Sequence, residues 1–265
     1  MPAVLCHEAP YVPDEVLALV HQQDYIDRVS SGRLTSAEQR AIGFPWSAQM
    51  VERSRRSSGA TIAACRAALQ YGVAVNLAGG THHAYADRGE GFCVFNDAAV
   101  AARLMQSECR VNRVAIIDLD VHQGNGTASI FENDDSVFTL SLHGEHNYPF
   151  RKEISDLDMA LPDDTGDEVY LCALRQSLST MFKHFSPELM IYLAGADPHE
   201  RDRLGRLKLT FPGLEARDHM VLAAAYQQSI PVAITMAGGY GNDIHETVAV
   251  HLQSIRIGAE YAARW

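Results

Sequence analysis

The segment RVAIIDLDVHQGNGT, residues 113–127, starts as an apolar run and then sets Asp118, Asp120 and His122 at alternate positions. Central strands of parallel sheets are covered on both faces and stay apolar, and a buried carboxylate without a partner is strongly destabilising unless it takes up a proton. Residues two apart in an extended strand share a face and advance about 6.6 Å, so the three side chains form one polar row that calls for a compensating charge. If the chain leaves ideal strand geometry near Val121, Asp120 and His122 reach a single ion, at ligand distances of about 2.0–2.2 Å for zinc. Asp197, within LAGADPHE, would then supply a third ligand. Two carboxylates, one imidazole and an open position describe a catalytic metal site rather than a closed structural one, and a dication offsets the buried negative charge. A strand-to-helix turn with an aspartate cap is the plainer reading of DLDVHQGNG, but it leaves three aligned polar groups unexplained.

Elements to position such a site are legible in the patterning. Strand-like apolar runs fall at 73–77, 114–117, 137–142, 189–193 and 232–236, and helix-forming stretches at 59–71, 97–106, 167–185, 214–228 and 244–262. Their alternation implies βαβ units and an α/β domain with a mostly parallel sheet flanked by helices. Ligands of open parallel sheets bind at the carboxyl ends of the strands. Four of those ends read NLAGGTHHA, DLDVHQGNG, YLAGADPHE and TMAGGYGND. Small residues there let the backbone approach a ligand closely, while His, Asp and Tyr supply ligands and proton donors. Each motif alone has an ordinary turn or core reading; their coincidence at four strand ends points to one crevice.

Composition narrows the partners. With 22 Lys plus Arg against 33 Asp plus Glu, the formal charge is −11, which opposes nonspecific attraction to nucleic acid. Apolar residues make up 47% of the 265, enough for a sizeable core, without the roughly 20-residue apolar run of a membrane span. MPAVLCHEAP does not read as a secretory signal, so a cytoplasmic location is expected. Five cysteines with no CxxC pairing point to reduced thiols rather than disulfides. Arg53, Arg55 and Arg56 read as solvated surface, His143 and His146 as loop histidines, and Asp163, Asp164, Asp167 and Glu168 as a solvated turn leading into a helix N-terminus.

GGTHHA, GFCVFND, DLDVHQGNG, SLH, LAGAD and GGYG occur in this order, and through them the chain resembles the zinc-dependent histone deacetylase superfamily, with its arginase/deacetylase fold. HQGNG looks most like the class IV branch and its bacterial relatives. The resemblance runs from about residue 14 to the C-terminus and implies a single three-layer α/β domain over 1–265, hydrolysing an N-acyl amide, typically acyl-lysine of a protein or peptide. Matching positions imply Asp120, His122 and Asp197 as ligands of zinc or iron, with His82 and His83 beside the attacking water. By the same matching, Asp118 orients His82, Asn125 faces His83, and Tyr240 donates to the developing oxyanion. An aspartate favours an imidazolium more than a neutral amide does, so His83 is the residue expected to cycle between base and acid. Gly91, Phe92 and Tyr148 resemble the walls of an acyl-lysine tunnel. Ser141 and Leu142, with the backbone of Asp118, Asp120 and His122, resemble a potassium site of the family.

Two departures accompany the resemblance. The usual N-terminal strand and loop have no match, and neither does the rim aspartate expected near GFPWS. Alternatives therefore stand beside acyl-lysine hydrolysis: a small N-acyl amine such as an acylpolyamine as substrate, a noncatalytic acyl-ligand binding protein, or an arginase-like dimanganese hydrolase, for which a second carboxylate-rich motif is lacking. Nothing in the sequence sets the oligomeric state.

Overall fold

Alternation along the strands divides the core in two. In β2 (Val114–Asp118), Val114 and Ile116 join one buried cluster while Ala115 and Ile117 join the other. The same happens in β5 (Leu189–Leu193), where Leu189, Ile191 and Leu193 face away from Met190 and Tyr192. Every residue of both strands is buried, as strands covered on two faces require. With β1 (Val73–Asn76), β3 (Val137–Gly144), β4 (Leu157–Leu161) and β6 (Val232–Thr235) they form one sheet in the order β1-β6-β5-β2-β3-β4. All strand pairs are parallel. The computed structural model that shows this describes residues 4–265.

One face packs against α1 (Asp14–Leu17), α2 (Gln23–Ser31), α3 (Ser36–Ile42), α4 (Ala48–Tyr71) and α5 (Asp97–Ser107). The other packs against α7 (Asp167–His184), α8 (Phe211–Gln227) and α9 (Ile244–Ala262), while α6 (Asn125–Phe131) follows β2. Burying a leucine-sized side chain contributes about 1.5–3 kcal/mol, so these two clusters hold the layers together. Each expected strand is present. β4 went unread because it is an edge strand with only Leu161 buried, which leaves no continuous apolar run. α3 carried a legible start, a capping box in which Thr35 and Glu38 bond each other's backbone N–H. The helix expected from residue 59 begins at Ala48, capped by Ser47.

Two expectations about surface residues are overturned. Arg55 is buried within the Arg patch, because its guanidinium donates to Val12 O at 3.0 Å and Ser30 Oγ at 2.6 Å and pairs with Asp14. His143 is a buried residue of β3 rather than a loop histidine, its Nδ1 2.9 Å from Ser141 Oγ. Asp167 and Glu168 do occupy the first turn of α7. Among the described residues all five cysteines are free, and no helix is long and apolar enough to cross a membrane.

Candidate active site

The four unusual strand ends belong to β1, β6, β5 and β2, which are consecutive neighbours in the sheet. Because all run parallel, their carboxyl ends share one edge, and the loops after them meet.

The loop after β1 turns at Gly79 and Gly80, both at positive φ. A side chain at Gly80 would run into Ala237 at 2.4 Å, so glycine lets this loop lie against the one after β6. The turn is pinned by the buried Asp97, whose carboxylate accepts from Gly80 N at 3.1 Å, Thr81 N at 2.7 Å and Thr61 Oγ1 at 2.5 Å. This anchor presents His82 and His83, both buried, with ring centroids 4.0 Å apart. Their partners differ. His82 Nδ1 lies 2.6 Å from Asp118 Oδ2, and His83 Nδ1 lies 2.6 Å from Asn125 Oδ1.

β2 ends at Asp118, so the chain has left strand geometry before Asp120 and His122. Together with Asp197 after β5 they form a buried group in which one ligand atom from each lies within 4.8 Å of the others. His122 Nδ1 is 2.9 Å from Asp120 Oδ1 and 3.2 Å from Asp197 Oδ2. Backbone N–H groups hold both oxygens of Asp120 and one of Asp197: Gly238 N donates to Asp120 Oδ2 at 2.7 Å, His122 N to Asp120 Oδ1 at 2.9 Å and Val121 N to Asp197 Oδ1 at 2.8 Å. Asp197 Oδ2 is buried without a hydrogen bond. An orphaned carboxylate oxygen facing an imidazole and a second carboxylate is what a divalent ion would satisfy, so the residues fit a metal.

Electrostatics separates the groups. Burial disfavours charge on His122, but the carboxylates of Asp120 and Asp197 outweigh it and raise the imidazole to about 10. Burial and the neighbouring Asp120 charge push Asp197 up to about 7. His82, opposed by burial, is raised to about 9 by Asp118 and Asp120. His83 moves the other way: burial, then the neighbouring His82 and His122, hold it well below the ordinary imidazole range.

Tyr240, after β6, sits with its ring 6.3 Å from that of His122, and burial raises its phenol above the usual range. Its backbone is clamped by Asp202, which accepts from Tyr240 N at 2.5 Å, while Arg203 Nε donates to Tyr240 O at 2.9 Å. Phe92, 45% exposed, lies 6.0 Å from Tyr240, and Tyr148 meets His83 edge-on at 4.9 Å. Phe92 holds a positive φ that non-glycine residues rarely adopt, kept there by Phe92 N donating to Ile42 O and Gly91 N to Ala41 O. A side chain at Gly91 would meet the His83 ring at 2.6 Å. Ser141 is Asp118's register partner on β3 and lies beside Leu142, both buried.

The residues expected from the sequence thus come together. Reading the sequence missed Asp97, Asp202, Tyr85 and Glu90. Asp97 follows the N-cap Asn96 within the quoted GFCVFND, a signal that was available. The other three act through contacts distant in sequence that no local pattern records.

The chain is also similar to known proteins. A model of the histone deacetylase domain matches residues 2–255. An uncharacterized protein of Picosynechococcus is 45% identical over 243 residues, covering 91% of this chain and 81% of that one. Histone deacetylase 2 of Arabidopsis thaliana is 32% identical, covering 90% of this chain and 64% of the plant protein. The acetoin utilization protein AcuC of Bacillus subtilis is 31% identical, covering 95% and 72%. Among solved structures, an HDAC homolog from Aquifex aeolicus superposes with a TM-score of 0.83 at 26% identity, covering 96% of this chain and 72% of the other. An HDAC homolog complexed with SAHA gives 0.82 at 27%, covering 95% and 72%.

Proposed function

Because the chain belongs to the histone deacetylase family of hydrolases, we propose that it is a zinc-dependent amidohydrolase that removes acyl groups from lysine side chains. The observation that carries this reading is the unsatisfied Asp197 Oδ2 beside Asp120 and His122, flanked by two imidazoles with unlike partners. Asp120, His122 and Asp197 would hold the zinc, which when bound polarises the acyl carbonyl and makes water a better nucleophile.

The chain's own residues do the rest. With its Nδ1–H on Asn125, His83 presents Nε2 as a free acceptor, takes the proton of the attacking water and returns it to the leaving amine. Buried and neutral, it is ready to accept. Asp118 favours the protonated form of His82, which stabilises charge beside the reacting carbon. Tyr240 donates to the developing oxyanion, a contribution of about 2.7–4 kcal/mol for one such donor. Gly91, Phe92 and Tyr148 would line the passage for the alkyl stem. A potassium ion at Asp118, Asp120, His122, Ser141 and Leu142 would brace the turn behind the ligands.

The test is zinc-loaded protein of known metal content assayed on acetyl- and longer acyl-lysine peptides, with an acylated polyamine alongside. Peptide hydrolysis is expected. A faster rate on the polyamine would move the assignment to small amides, and no hydrolysis by protein with one zinc per chain would overturn it.

A further inference from the structure

We propose that Glu90 is a positioning residue that fixes the tautomer of His83 through the side-chain amide of Asn125. The proposal rests on His83 being the general base. Asp118 settles the tautomer of His82 directly, because a carboxylate only accepts. Asn125 has no such certainty built in: an amide carries an acceptor at one end and donors at the other, and turned over it would place N–H against His83 and force the imidazole proton onto Nε2. A proton there would block the nitrogen that must accept from water.

Two contacts forbid that turn. Asn125 Nδ2 lies 2.7 Å from Glu90 Oε1. A reversed amide would set its oxygen against that carboxylate, an acceptor facing an acceptor, and would leave the oxygen of the buried Asn125 without a donor, which is penalised. Asn125 Nδ2 also donates to Tyr85 Oη at 3.0 Å, and Tyr85 spends its own proton on Glu153 Oε1 at 2.9 Å, so the phenol oxygen is an acceptor toward Asn125. Both donors of the amide are thereby committed away from His83, and its oxygen is left for Nδ1–H. Glu90 Oε1 further accepts from Tyr148 Oη at 2.8 Å, so the same oxygen ties the base to the Tyr148 wall. Arg88 Nε stands 3.9 Å from Glu90 Oε2.

A plain structural role, in which Glu90 merely supports the Gly91–Phe92 turn through its bridge to Cys93, predicts something different. Glu90→Gln should lower kcat about 10- to 100-fold, the usual loss for partners that orient functional imidazoles, with metal content unchanged. In an Asn125→Asp background the introduced carboxylate accepts at both ends and needs no orienting partner, and Glu90 beside it is repulsive. There Glu90→Gln should leave kcat unchanged or raise it. Equal losses in the two backgrounds would overturn the proposal. Nitrogen-15 NMR of the histidine rings reads the tautomer without turnover: the zinc-loaded protein should carry the His83 proton on Nδ1, and the Glu90→Gln variant, whose amide no longer only accepts while the Tyr85 contact remains, should show a mixture of Nδ1–H and Nε2–H, a variant as fully Nδ1–H as the wild type overturning the proposal. A wild-type His83 protonated on Nε2 would end the proposal whatever the variant does. Because the NMR result is independent of activity, absence of acyl-lysine hydrolysis would count against the assigned reaction alone.

Discussion

A β-carbon placed on Gly238 would stand 2.1 Å from Oδ2 of Asp197. The same carbon would come within 2.6 Å of Asp120 Oδ2, so the glycine keeps open the space between the two carboxylates of the candidate metal group. Gly238→Ala should therefore weaken zinc binding by roughly 10- to 100-fold, comparable to losing an outer partner of a metal ligand, while the sheet still forms. Competition with a chelator, paired with far-ultraviolet circular dichroism, checks this; unaltered affinity would show that the carboxylates move aside at little expense.

Tyr240→Phe removes one hydroxyl and leaves the ring and the Asp202 clamp on the backbone. A donor that acts chiefly in the transition state is worth about 10²–10³ in kcat. The expected result is a fall of that order with zinc content retained. A change confined to KM would assign Tyr240 to ground-state binding instead.

Metal uptake should release protons. The carboxylates hold His122 protonated to about 10, and burial with the Asp120 charge holds Asp197 up to about 7, yet both must be deprotonated to ligate. Affinity for zinc should thus rise with pH up to about 10, more steeply below about 7, where Asp197 is protonated as well as His122. Titration calorimetry in buffers of different ionisation enthalpy measures the protons released, and a heat independent of buffer would contradict the protonated cluster.

His21 makes stability depend on pH. Its Nδ1–H donates to Tyr85 O and its Nε2 accepts from Asn96 N, each at 3.0 Å. Burial lowers the ring from 6.5 to about 4, partly opposed by the backbone of Tyr85 and Ala86. Between those values the unfolded chain binds the proton and the folded one resists it, so the contribution is complete above 6.5 and is lost as pH falls toward 4. At 1.36 kcal/mol per pKa unit it amounts to about 3 kcal/mol. His21→Gln should flatten the rise of urea-unfolding free energy across this window without abolishing it, since burial also lowers His143 and His251 to about 4. Parallel profiles for the two proteins would refute the assignment.

What the sequence by itself determined was local. Strand runs, the glycine turns after them and the spacing of Asp118, Asp120 and His122 are readable because backbone period and turn chemistry involve residues a few positions apart. The strand-end motifs named Asp197 and Tyr240 without showing how they reach the others. Only the tertiary structure decided that, by setting β1, β6, β5 and β2 side by side so that loops far apart in the chain share one edge. It also decided where long polar side chains end. Arg55 turns inward to Val12 and Asp14, and Glu90 reaches Asn125 and Tyr148, because a flexible side chain with several donors or acceptors goes to whichever partners the packed elements leave within reach, and no pattern of neighbouring residues records them.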